Sequence, residues 1–475
     1  MSHDPSRPPR SRPRPSHGGR PKGPPGRTGS PKGVGKARPP RTPFNPDPAR
    51  YAAVRLIAHI LDERWTLEEA MRKEQAFVGL DGRDRGFAAH LALATLRALG
   101  MIDAVLASKL ERPLPDSAHF ARALLRVGAA QLIEGLAPPH AAVGRSVDLA
   151  KFDPASRGFA GLVNAILRRI ATEPIERPAD RLRVPVLWWN RWRAAYGEDA
   201  ADGIAASLAR QPALDLSVKA DAEHLAASLD AEVLPTGSLR LKETPGDVTS
   251  LPHWADGVFW VQDAAAALPA RLLGVRPGQR VLDMCAAPGG KTMQLAATGA
   301  DVTAMDVDAA RIRRVADNLA RTSLTARLHV ADARTLAETS DRQGDYDAIL
   351  LDAPCSATGT LRRNPESLWI KTPADVARFA SLQRDLMTAA IAALKPGGRL
   401  VYAVCSLEPE EADPAVAQGL AAGLRLVPIE PHEVPSLEHA ITAQGCVRLL
   451  PAYWADRGGM DGFFIARFEK PMLVS

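Results

Sequence analysis

The chain has 475 residues, 46% of them hydrophobic and 24% charged, with a formal net charge of +6. That length calls for two or three domains with sizeable cores. No apolar run reaches the roughly 18 residues of a membrane span, and the basic N-terminus lacks the apolar stretch of a secretory leader. A protein of the bacterial cytosol is expected, with no membrane partner. Four cysteines, Cys285, Cys355, Cys405 and Cys446, are too few for a disulfide framework and lack metal-ligand spacing, so no metal is expected.

Residues 1–48 form the first segment. Up to Pro46 there are eight Arg and three Lys against Asp4, a net of +10, so the rest of the chain carries −4. The same stretch holds thirteen prolines and almost no large apolar residue before Phe44. A disordered arm is predicted, because nothing there can be buried to offset the entropy of folding. A flexible basic arm attracts phosphates in a salt-dependent way; a solubilising tail is the plainer reading.

Residues 49–175 have helical periodicity. Val54, Ile57, Ala58 and Leu61 share one face, as do Phe87, Leu91 and Ala98, and Phe159, Leu162, Ile166 and Ile170 mark another helix. Breaks at Gly82, Gly100, Pro113 to Pro115 and Pro138-Pro139 predict an all-α domain of five or more helices. The histidines have no mutual spacing that suggests a site. Arg85, Arg97, Arg126, Arg168 and Arg169 are candidates to face phosphate, although Arg on a helix surface is ordinary.

In residues 176–258 the texture changes. Runs at 214–218 and 239–241 read as strands, with a helix over 220–229 between them, giving a small α+β subdomain. Trp188, Trp189, Trp192, Trp254 and Trp260 fall close together in sequence. Aromatics of this kind stack on unpaired bases or, more commonly, plug a domain junction.

In residues 259–475 strands and helices alternate. Strand-like runs lie at 281–283, 302–306, 327–331, 348–351, 400–404, 424–428 and 463–468. Helical segments lie at 291–298, 309–321, 373–394 and 408–420. The alternation predicts an α/β domain with a doubly wound, mainly parallel sheet. Ligands of such sheets sit at the carboxyl ends of the strands. The first strand ends in Asp283, and Cys285, Ala286, Ala287, Pro288, Gly289, Gly290 and Lys291 follow it as a small-residue turn into a helix. That turn is a nucleotide-sized cradle with free N–H groups. Asp306, after the second strand, is placed to accept from ribose hydroxyls, or to cap the helix that follows. Asp332 and Asp352, after the third and fourth, are placed for an adenine edge and a substrate base. With strand order 3-2-1-4-5, Cys355 and Cys405 face one pocket across fifty intervening residues. A phosphate-binding loop ending in Gly290-Lys291-Thr292 is the rival reading, but G-x-x-x-x-G-K-[ST] needs glycine where Cys285 stands. A non-catalytic binding module leaves both cysteines without a purpose.

The segments DMCAAPGGKT (283–292), DAPCSATGTLRRNPESLW (352–369), VCSLEPEE (404–411) and DGFFIARF (461–468) resemble the Nol/Nop/Sun family of RNA cytosine-5 methyltransferases. GLVNAILRRI (161–170) is similar to the NusB-type RNA-binding domain. The resemblance implies a class I methyltransferase Rossmann-like sheet preceded by a NusB-like domain and a small RRM-like subdomain. It implies S-adenosylmethionine bound by residues 285–291, Asp306, Asp332 and Asp352, with Cys405 as nucleophile and Cys355 as the residue that helps release product. It places Asp352 on the substrate ring. It also implies RNA as partner, small-subunit ribosomal RNA before tRNA or large-subunit RNA, with no obligate protein partner. Val404 departs from the threonine that commonly precedes the family's nucleophile, while keeping a β-branched residue there.

Overall fold

A computed structural model describes residues 47–174, 179–219, 221–338 and 344–472. Residues 1–46 of the expected arm lie outside these residues, as does residue 220, the expected first residue of a helix, while Asp47 and Pro48, counted with the arm, instead cap and open the first helix. The first 125 or so described residues are helical. Asp47 caps Pro48–Glu63 by accepting from the Arg50 amide, and Thr66 with Glu69 forms a capping box on Leu67–Lys73. Leu56, Ile57 and Ile60 of Pro48–Glu63 pack with Leu91 and Leu96 of Gly82–Arg97 and Leu124 and Leu125 of His119–Ile133. Burying each such side chain is worth about 1.5–3 kcal/mol. The helices Pro139–Phe152 and Ala160–Thr172 complete the bundle. The break expected at Gly100 falls at Ala98, and Gly100 sits in the first turn of Leu99–Lys109. A Cβ there would lie 2.0 Å from the Leu182 carbonyl oxygen, so the small residue serves a close crossing instead of a helix stop. Among the described residues no single helix is long and apolar enough to cross a membrane.

The tryptophan-rich segment is helical, which the sequence reading did not anticipate. Val186–Tyr196 carries Trp188, Trp189 and Trp192 into a buried cluster with Ile204 and Ala205 of Glu198–Ala206 and with Leu361, Leu368 and Leu407. These rings therefore plug a junction and are not free to stack on bases. A small antiparallel sheet follows, made of β1 (Asp215–Val218), β2 (Ala231–Val233), β3 (Leu239–Leu241) and β4 (Phe259–Val261) in the order β2-β3-β1-β4. The helix Ala222–Leu229 covers it. The sequence showed β1 and β3. β2 and β4 were not anticipated, although β3 is equally short.

The large sheet contains β5 (Arg280–Met284), β6 (Asp301–Asp306), β7 (Arg327–Val330), β8 (Tyr346–Asp352), β9 (Leu394–Val404), β10 (Arg425–Leu426) and β12 (Phe463–Glu469), in the order β10-β12-β9-β8-β5-β6-β7. β11 (Val447–Leu449) pairs with β12 off this path. From β7 to β9 all pairs are parallel, and this is the 3-2-1-4-5 order expected. β12 then enters antiparallel between β9 and β10. The run at 424–428 shortens to β10, since Pro428 has no N–H to give a ladder. The helix expected over 408–420 divides into a turn at Pro409–Glu411 and a helix Asp413–Ala421, with Pro414 in the first helical turn where its missing N–H costs nothing.

Candidate active site

The loop after β5 is shaped by backbone. Cys285 takes a left-handed conformation (φ +61°), uncommon for a residue with a Cβ. The Ala286 amide donates to the Met305 carbonyl at 2.9 Å, tying the loop to β6. Gly289 has φ +104°, and a Cβ on it would lie 3.1 Å from Val315 Cγ1, so glycine is needed there on both counts. The helix Gly290–Ala297 begins next, its first amides unengaged by any side-chain cap. Asp306, at the end of β6 and 3% exposed, accepts from the Ala287 and Asp308 amides and pairs with Arg311. Capping of Ala309–Thr322 falls to Asp308, whose carboxylate accepts from the Ala310 and Arg311 amides, so Asp306 does not cap that helix. Asp332 stands after β7, and hydrogen bonds from Arg334 hold its carboxyl below the usual range. A cradle of backbone amides at a helix start, with carboxylates beyond the two neighbouring strands, matches the amino-acid and ribose ends of S-adenosylmethionine.

Lys291 belongs to the same motif but its side chain goes elsewhere. Its Nζ lies 2.6 Å from Asp352 Oδ2 at the end of β8 and 5.3 Å from the centre of the Phe463 ring. Burial alone would lower its pKa, but Asp352 outweighs burial and raises it, so the ammonium stays charged. Beside this pair, Cys355 Sγ and Cys405 Sγ are 3.4 Å apart. The topology inferred from the sequence thus brings the two thiols into contact. The Cys405 sulfur, together with burial, holds the Cys355 thiol well above the ordinary cysteine range. Burial likewise pushes up the Cys285 thiol, which marks it as part of the loop wall.

The segments that follow the two cysteines are held by further contacts, in which Arg363, Asp461, Arg191, Glu408, Tyr196 and Arg64 were not singled out from the sequence. Arg363 donates to Asp461, a fully buried carboxyl pushed up to about 6 by burial, with Arg363 opposing. Trp192 Nε1 and Arg191 Nε reach the buried carboxylate of Glu408, at 2.9 and 2.7 Å, and Tyr196 donates to the Leu407 carbonyl. Trp188 Nε1 donates to the Leu368 carbonyl at 2.8 Å. From the helical bundle, Arg64 donates to the Ile370 carbonyl and Arg97 Nε to the Arg362 carbonyl at 3.0 Å, while the Leu67 amide donates to Glu366. Arg97, expected as a candidate for phosphate, is therefore buried in a domain contact. Arg126 is engaged by Asp103, Arg168 by Asn164 and Arg169 by Glu173. Glu411 was also missed: the acidic run after Cys405 is visible in the sequence, but nothing local marks which of its carboxylates is buried.

A doubly wound sheet with a glycine-rich first loop, acidic residues after the second and third strands and an Asp-Lys pair at the end of the fourth defines a Rossmann-like S-adenosylmethionine-dependent methyltransferase. The pattern of the family described as 16S rRNA methyltransferase RsmB/F matches residues 270–469, and that of the NusB family matches residues 47–172. Ribosomal RNA small subunit methyltransferase B of Pseudomonas syringae pv. tomato is 35% identical, over 89% of this chain and 96% of its own length. The protein of that name from Xanthomonas campestris pv. campestris is 38% identical, over 76% and 85%. Among solved structures, a methyltransferase homolog protein from Pyrococcus horikoshii superposes with a TM-score of 0.52 at 29% identity, covering 62% of this chain and 98% of that one. PH0851 superposes with a TM-score of 0.69 over 90% of this chain and 99% of that one, a likeness of fold at 24% identity. The chain belongs to the 16S rRNA methyltransferase RsmB/F family, with a NusB-family domain ahead of its catalytic sheet.

Proposed function

We propose that the protein methylates carbon 5 of a cytosine in 16S ribosomal RNA through a covalent adduct on Cys405. The single observation that supports this most is the 3.4 Å contact between Cys355 and Cys405 beside the Lys291–Asp352 pair. Carbon 5 of cytosine is too electron-poor to take a methyl group directly. The Cys405 thiolate adds to carbon 6, forming an S–C bond and moving the 5,6 double-bond electrons toward carbon 5. Asp352, an acceptor, takes a hydrogen bond from the exocyclic 4-amino group of the ring, and the Lys291 ammonium beside it offsets the negative charge that builds at nitrogen 3. Bound on the 285–291 loop, Asp306 and Asp332, S-adenosylmethionine supplies an electrophilic methyl group. Carbon 5 would take that methyl as the methyl–sulfur bond breaks with its electrons left on sulfur. A base then takes the carbon 5 proton, the electrons of that C–H bond re-form the 5,6 double bond, and the carbon 6–sulfur bond breaks to release Cys405 as thiolate. Cys355, in contact with the Cys405 sulfur, assists this release. The base must be unpaired or flipped out of its stack to reach the pocket. The relatives named for small-subunit ribosomal RNA, and the NusB-family domain, favour that RNA in a cytoplasmic setting.

The test is a pair of alanine variants. Cys405→Ala should abolish both turnover and any covalent complex. Cys355→Ala should permit attack and methyl transfer but leave a protein–RNA adduct that survives denaturing electrophoresis and needs S-adenosylmethionine to accumulate. If Cys405→Ala traps RNA and Cys355→Ala does not, the two roles are reversed. Bisulfite mapping of ribosomal RNA from a deletion strain identifies the cytosine.

A further inference from the structure

The two thiols sit on separate loops, one after β8 and the other after β9, and something must set their spacing. Glu411 lies between those loops on the Pro409–Glu411 turn, 1% exposed. Its Oε2 accepts from Ser356 Oγ and Ser406 Oγ, each at 2.5 Å. Its Oε1 accepts from the Ser356 amide at 2.8 Å and from Gln383 Nε2 at 3.1 Å. Gln383 Nε2 also donates to the Pro354 carbonyl at 2.9 Å. Pro354 and Ser356 flank Cys355 and Ser406 follows Cys405, so one carboxylate and its glutamine partner bracket both sulfurs. Tyr402 of β9 adds a hydrogen bond to the Glu411 carbonyl at 2.7 Å. Burial raises the Glu411 pKa and its four donors oppose that rise, which explains why a carboxylate with this many donors is kept in an otherwise apolar place.

We propose that Glu411 is the positioning residue of the thiol pair, holding the loop of Cys355 and the loop of Cys405 in the register that lets one sulfur act on the adduct formed by the other. The role in turnover rests on the covalent mechanism above; the role in spacing does not. Glu411 is buried, and its carboxylate acts through Ser356, Ser406 and Gln383. Replacing one carboxylate oxygen with an NH2 group sets a donor against donors and lets the loops part. A displacement of about 1 Å at a reacting centre costs about a hundredfold in rate.

The experiment uses the full-length protein and its Glu411→Gln and Ser406→Ala variants. Dibromobimane, which loses a bromide to each of two thiolates, bridges neighbouring cysteines, and the bridged Cys355–Cys405 peptide is quantified by mass spectrometry. Glu411→Gln should slow bridging about tenfold and lower kcat by about a hundredfold. The KM for RNA and the thermal shift produced by S-adenosylmethionine should stay as in the wild type, and the denaturation-resistant RNA adduct should increase. Should Glu411→Gln fail to fold, Ser406→Ala, which removes one bond of the bracket, should show the same changes at smaller size. Unchanged bridging in a folded Glu411→Gln protein would overturn the proposal, even if turnover fell. Slower bridging with no adduct in any variant, Cys355→Ala included, would uphold the positioning role and count against the covalent mechanism alone.

Discussion

At the scale of single residues, the contact of Cys355 with Cys405 was legible because it follows from strand order, and strand order follows from the alternation of helices and strands. Cys405 stands directly after β9 and Cys355 three residues after β8, close to strand ends that fix their positions. Glu411 was illegible for the opposite reason. Its donors Ser356 and Gln383 lie 55 and 28 residues away in sequence, and no local period reports such a convergence. Lys291 was legible as part of the loop, but its direction, toward Asp352 and away from the loop backbone, was not. Asp283 is a further case. Fully buried beneath the cofactor loop, it accepts from Thr292 Oγ1 at 2.6 Å, while burial, with Asp352 and Asp306 nearby, pushes it up to about 7. Its folded pKa lies above its ordinary 3.8, so between about pH 4 and pH 7 the unfolded chain ionises here while the folded chain keeps its proton. Stability contributed at this site is present below about pH 4 and is lost as pH rises toward 7, by at most about 4 kcal/mol. Urea denaturation midpoints at pH 5 and pH 7.5 should therefore differ less in Asp283→Asn than in the wild type. An unchanged difference would show that Asp283 ionises in the folded protein as easily as in the unfolded one.

Among elements, the long strands and helices of the catalytic sheet were readable because each carries several apolar positions at one period. The helix Val186–Tyr196 was not, although Trp188, Trp189 and Trp192 fall on one buried face, because tryptophans so spaced also read as stacking or junction residues, and Glu198–Ala206 offers only Ile204 among small apolar residues. The loop after Cys355 is another element whose reason lies in three dimensions. The Gly359 amide donates to the Cys405 carbonyl at 3.0 Å, and its own carbonyl accepts from the Gly462 amide at 2.8 Å. A Cβ on Gly359 would stand 2.1 Å from the Gly462 carbonyl oxygen and 2.9 Å from that of Cys405. Gly359→Ala should therefore push the Cys405 strand end and the Gly462 turn apart, destabilising the protein by about 1–3 kcal/mol and cutting turnover by about a hundredfold. Differential scanning calorimetry and a methyl-transfer assay read the two effects. A variant with wild-type melting and wild-type turnover would show that this three-way contact is loose in solution.

For the molecule as a whole, charge is divided unevenly, with +10 in residues 1–46 and −4 in the remainder. Deleting residues 1–46 should weaken RNA binding mainly at low salt and flatten the slope of log affinity against log salt, leaving the methylated cytosine the same. A changed cytosine would mean that the arm reads sequence. The helical bundle and the Val186–Tyr196 helix both grip the segments that follow the two cysteines, so the pocket belongs to several parts of the chain at once. The position of β12 carries a consequence for synthesis. β9 bears Cys405 beyond its end, yet its neighbour on one side is translated some sixty residues later, and β10 has no place in the sheet until that neighbour arrives. A nascent chain at that stage exposes an unpaired strand edge to other chains on the same messenger. The interval between translating residue 404 and residue 463 is therefore the window in which a holding chaperone matters most, and slow codons within it would lengthen the exposure.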